Sequence, residues 1–184
     1  MENNMDNMNN MKSPGPMKKW AKIIVPIAVV VIVAGIWLVK NSQEDIPFTP
    51  SNPDFALDAQ EDFDLEKLKS YGLPIILDFG EVKTKATIEM RPVLEELNEE
   101  SQGEVIIKHI DIIEYKSIVE RYPVTVVPTQ VFYDAEGKPF VPENPASYQM
   151  KGYTAKGTSE HIFTVHEGPY TKEQLLTIID EIIK

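Results

Sequence analysis

Apolar residues follow three different rhythms along this chain, and each predicts a different kind of element. From Ile23 to Val39 they run on with no charge between them. Asn41–Asp62 shows no sustained period. From Phe63 onward, helical and strand spacings alternate. Phe63, Leu65, Leu68 and Tyr71 lie on one helical face, with Gly72 placed to end the helix. Pro74–Phe79 is a short apolar run of the kind a buried strand shows. Thr87–Glu99 predicts a helix with Met90, Val93, Leu94 and Leu97 in one stripe and acids on the other face. Glu104–Ile113 predicts a strand, Lys116–Arg121 a short helix stopped near Pro123, and Val124–Tyr133 a strand with Pro128 inside it. Asp134–Lys138 reads as a turn with Gly137 at a positive-φ position, and Glu160–His166 as a strand. Thr171 and Gln174 fit a capping box opening a final helix, Lys172–Ile183, whose stripe is Leu175, Leu176, Ile179, Ile182 and Ile183.

Strands alternating with helices predict parallel pairing early, and the late turn predicts an antiparallel hairpin. The expected fold is therefore α/β, a central mixed sheet with helices on both faces.

The uninterrupted run changes the picture at the N-terminus. Ile23–Val39, as a helix, is roughly 25 Å long, near the lower limit for crossing a bilayer core. Trp20 and Trp37 flank or cap it, where amphipathic rings favour a membrane interface. It is apolar all round, unlike a core helix, and the bulky residues Ile36–Lys40 do not suit signal-peptide cleavage. Lys12, Lys18, Lys19 and Lys22 precede it, whereas Glu44 and Asp45 follow soon after Lys40. The expectation is a signal anchor at 20–40 that contacts lipid through residues 23–39. An Asn/Met-rich cytoplasmic tail would occupy 1–19, a Pro-containing acidic tether 41–62, and an extracytoplasmic domain 63–184.

Charge narrows the partners. The 184 residues carry a formal net charge of -11. From Glu44 to Lys184, 27 acidic residues face 13 basic ones, which argues against nucleic acid and against flat adsorption on anionic lipid. The chain has no cysteine, so disulfides and intramolecular thiol chemistry are excluded. His161 and His166 are five apart on a predicted strand, and His109 lies on another, so no ligand set converges: neither a metal nor another cofactor is expected.

Three segments in order carry a family resemblance. They are Leu77-Asp78-Phe79 with the following helix and Pro92; Arg121-Tyr-Pro-Val-Thr-Val-Val-Pro128-Thr129 through Gly137; and Glu167-Gly168 followed by Thr171-Lys-Glu-Gln. Together they make Phe63–Lys184 resemble the thioredoxin-like family, here of the membrane-anchored, extracytoplasmic bacterial type. The resemblance implies a Cys-x-x-Cys at the start of the helix, where this chain has Thr84-Lys-Ala-Thr87. It also implies a cis Pro128 facing that loop, and a residue before it, Val127, that pairs by backbone with an extended substrate. Asp78 takes the place of the family's buried acid, and Pro139–Ser159 reads as an insertion or elongated loop.

Threonine cannot supply the thiolate that disulfide exchange needs, and its hydroxyl stays protonated without an adjacent base. Thr84 and Thr87 are thus expected to be structural, Thr84 as a helix cap, and no catalytic role is assigned. Lys83 and Lys85 give the loop a cationic edge. The expected function is binding of extended or unfolded exported or membrane polypeptides without thiol chemistry, through Lys83, Thr84, Lys85, Ala86, Val127, Pro128 and Thr129. The alternatives are a thiol-disulfide oxidoreductase, as the family label implies, and a non-catalytic scaffold subunit of a membrane complex.

Overall fold

The computed structural model describes residues 50–61 and 63–184. The expected tail and anchor, and the first part of the tether, lie outside the described residues. Among the described residues no helix is long and apolar enough to cross a membrane.

Five strands form one sheet in the order β2-β1-β3-β5-β4: β1 (Ile75–Gly80), β2 (Ile106–Asp111), β3 (Thr129–Tyr133), β4 (Met150–Thr154) and β5 (His161–Glu167). The β1–β2 pair is parallel and the other pairs are antiparallel, so the sheet is mixed as expected. Helices α1 (Leu65–Lys69), α2 (Lys85–Glu100), α3 (Lys116–Val119) and α4 (Lys172–Ile182) cover its two faces. Successive strand residues point to opposite faces, and both faces are buried. Ile76, Ile107 and Phe132 pack under Met90, Leu94 and Leu97 of α2 and under Leu175, Ile178, Ile179 and Ile182 of α4. Ile75, Leu77, Phe79, Ile106, Ile110 and Val131 share the opposite core with Leu68 of α1 and Ile118 of α3. Burial on both faces is why β1 reads as an unbroken apolar run.

Several expected boundaries move, each for a local reason. Asp64 accepts from the backbone N–H groups of Glu66 and Lys67, so α1 begins after it rather than at Phe63. Helix α2 starts two residues before Thr87 and continues through Pro92. The strand expected from Val124 begins only at Thr129, immediately after Pro128, which has no N–H to give a ladder. In α4, Ile178 belongs to the buried stripe while Leu176 and Ile183 are exposed. The buried set 175, 178, 179 and 182 is the helical i, i+3, i+4, i+7 face.

Two segments differ more. Within Pro139–Ser159, expected as loop, lies β4, an edge strand with only Met150 buried, so little apolar alternation marks it. Residues 53–59, expected in the tether, pack on the domain instead. Leu57 and Ala59 are buried; the His109 N–H donates to the Leu57 carbonyl (2.7 Å) and the Ala59 N–H to the His109 carbonyl (2.9 Å). The Arg91 guanidinium grips Asp58 with two bonds of 2.6 and 2.8 Å. This segment thereby covers part of the free edge of β2.

Candidate functional site

The site grows from a polar row laid across three strands. Asp78 of β1 stands opposite His109 of β2 and Gln130 of β3. Its two carboxylate oxygens are both used: Oδ2 lies 2.8 Å from His109 Nδ1, and Oδ1 accepts from Gln130 Nε2 at 2.8 Å. Gln130 also meets Met90 Sδ at 3.4 Å. All three residues are buried, at 1 % exposure for Asp78 and 3 % for His109. His109 Nε2 and Gln130 Oε1 are without a partner among the described residues.

Gly80 follows two positions after Asp78 on the same face, and α2 settles directly onto it. A Cβ at Gly80 would lie 2.7 Å from Thr87 Cγ2 and 2.8 Å from His109 Cε1. Only glycine allows this approach. It buries Thr87 against the sheet and leaves Thr84 half-buried above it.

Thr84 holds the N-cap backbone position of α2, but its side chain makes no cap bond, contrary to the expected role. Its Oγ1 lies 2.8 Å from Thr87 Oγ1 and 3.1 Å from the Glu81 carbonyl. Both contacts are satisfied, with one hydroxyl proton each, if Thr87 donates to Thr84 and Thr84 to Glu81. The N–H groups of Lys85, Ala86 and Thr87, the first of the helix, have no backbone partner among the described residues, and Ile88 N–H makes the first helical bond, to Thr84 O. Lys83 and Lys85 are exposed; Lys85 lies 3.5 Å from Glu89. No described base touches the Thr84 hydroxyl, and no described partner meets the imidazole Nε2 of His109, so the hydroxyls and the Asp78–His109 pair are not coupled by a hydrogen bond.

The Val127–Pro128 peptide is cis. Thr129, the first residue of β3, faces Phe79, which sets Pro128 at the sheet end where the Glu81–Thr84 loop departs. The Pro128 carbonyl accepts from Gly168 N–H (2.8 Å), and Thr129 Oγ1 donates to the Val126 carbonyl (2.7 Å). Upstream, the N–H groups of Val124, Thr125, Val126 and Val127 have no backbone partner among the described residues.

Four exposed large apolar residues gather at this end: Val82 after β1, Ile113 after β2, Val126 before β3, and Ile88 in the first turn of α2. Asp78 is buried as expected, but its partners His109 and Gln130, the apolar rim and the close approach at Gly80 were missed by sequence reasoning. Alternation placed His109 on a strand, but nothing in the sequence sets the β1–β2 register that brings it to Asp78.

No family model and no curated protein matches the chain. Among solved structures it is similar to the thioredoxin of Malassezia sympodialis, at 13% sequence identity and a TM-score of 0.48, over 74% of this chain and 96% of that one.

Proposed function

We propose that this chain is a membrane-anchored, extracytoplasmic protein of thioredoxin-like fold that binds extended segments of exported or membrane polypeptides without redox or other catalysis. The observation that carries the reading is the run of unpaired N–H groups at Val124–Val127 beside an apolar rim. A stretch with unpaired N–H groups can accept another strand, and exposed apolar side chains around it supply the driving force. The buried polar row ties β1, β2 and β3 together beneath this corner. The anchor rests on Ile23–Val39 and its flanking charges.

The test is site-specific photo-crosslinking in the native cell, with the probe at Lys85 and a control probe at the exposed Asp180 of α4. Exported polypeptides captured from position 85 and not from 180 support the reading. Equal capture at both, or none at either, contradicts it and favours a scaffold role.

A further inference from the structure

Beside the rim, between the ends of β1 and β2, lies a cleft of about 360 Å³ lined by Glu81, Val82, Lys83, Asp111, Ile113 and Glu114. Its walls are apolar: Val82 is 53% exposed and Ile113 57%. Its charge is acidic, with three carboxylates against one ammonium. The Asp111 carboxylate is fixed by the backbone, accepting from Ile113 (2.8 Å), Glu114 (3.1 Å) and Val82 (3.3 Å). Burial pushes its pKa up, but these three bonds outweigh that and hold it below the usual carboxylate range. Glu81, Lys83 and Glu114 enter no ion pair among the described residues.

An occupant of such a cleft needs an aliphatic stem to lie along Val82 and Ile113 and a cationic head to meet the acids. Lysine and arginine side chains have that construction. Val82 and Ile113 belong to both cleft and rim, so a chain seated on the rim passes the cleft mouth. We propose that the cleft receives a lysine or arginine side chain of the bound polypeptide, so that the site selects extended segments in which a basic residue lies next to apolar ones. This rests on the polypeptide-binding reading above. The exported domain's acid excess alone would give a diffuse attraction for cations; the proposal is a local one, centred on Glu81 and Glu114.

The experiment uses the full chain in an uncharged detergent at low salt. Its probes are fluorescein-labelled short peptides of alternating valine and serine with one central lysine, and twins with norleucine or glutamate at that position. Fluorescence anisotropy should show the lysine peptide binding about fivefold tighter than the norleucine twin, as expected for a partly exposed charge contact, and the glutamate twin weakest. Glu81→Gln with Glu114→Gln should bring lysine and norleucine peptides within about twofold of each other. Glu99→Gln with Glu104→Gln, the same charge change at exposed positions elsewhere, should leave the preference intact. Equal binding of all twins to the wild type, or equal loss of preference in both double variants, overturns the proposal while leaving polypeptide binding standing. Binding of no twin at all overturns the polypeptide-binding reading and this proposal with it.

Discussion

Two helices of this domain begin on a threonine in nearly the same extended backbone conformation and use it in opposite ways. At α4, Thr171 (φ −80°, ψ 164°) accepts from the Gln174 N–H while Gln174 Oε1 accepts from the Thr171 N–H, with Glu173 in the first turn. At α2, Thr84 (φ −82°, ψ 142°) turns its hydroxyl to Thr87 and Glu81, and no acid lies in the first turn. The backbone is not the cause; the residue three positions on is. Gln174 reaches back and completes a box, whereas the Thr87 hydroxyl takes up the Thr84 side chain. One helix end is closed for stability. The other leaves its amides open at the corner where Pro128 and the apolar rim meet.

The open end depends on what lies beneath it, and the largest expected effect comes from removing that support. Asp78→Ala leaves His109 and Gln130 without their shared buried partner and, at about 1–3 kcal/mol for each orphaned group, should give the largest loss in chemical denaturation. A loss under about 1 kcal/mol would mean that the polar row does not hold this corner. Gly80→Ala comes next, at about 1–3 kcal/mol, because its Cβ meets Thr87 and His109. Adding Thr87→Ser removes one of the colliding atoms, Cγ2, so the double variant should recover part of that loss as a coupling energy.

The two caps can then be compared directly. Thr171→Ala should cost about 1 kcal/mol by removing a cap bond, whereas Thr84→Ala should cost about 1 kcal/mol or more by leaving the buried Thr87 hydroxyl without its partner, a loss that adding Thr87→Val should partly recover. Thr84→Asp should stabilise by up to about 1 kcal/mol by supplying the missing acceptor and a favourable charge. No recovery on adding Thr87→Val to Thr84→Ala would abolish the distinction.

The smallest effect is a pH slope at the closed end. His166 stacks on Tyr170, just before the α4 cap, with ring centroids 3.7 Å apart. Burial holds its pKa below the ordinary value, the Gln149 carbonyl opposing. The unfolded chain therefore takes up a proton first as pH falls through about 6.5, and stability should decline from there toward the lower folded pKa. His166→Phe should flatten that part of the stability–pH curve.

Much of this fold was legible because its core elements carry strong periods. The β1 run, the α2 stripe and the Thr171 box each announced themselves. What escaped notice was set by partners distant in sequence. Edge strand β4 has one buried residue and gains its shape from β5. Residues 53–59 look like a tether until His109 and Arg91 bind them. At the site, Thr84, Thr87, Val127 and Pro128 stood out through resemblance. The Asp78–His109 contact depended on strand register, and Thr84's lost cap depended on a side-chain competition that spacing does not reveal.

The central claim is that Val124–Val127 offers unpaired N–H groups to an extended chain. Amide hydrogen exchange, resolved by residue on the full chain, tests it most directly. The account predicts fast exchange at Val126 and Val127 in the free protein and marked slowing when a lysine-bearing valine–serine peptide is bound. Amides already protected in the free protein, or unchanged when the peptide is demonstrably bound, would contradict it.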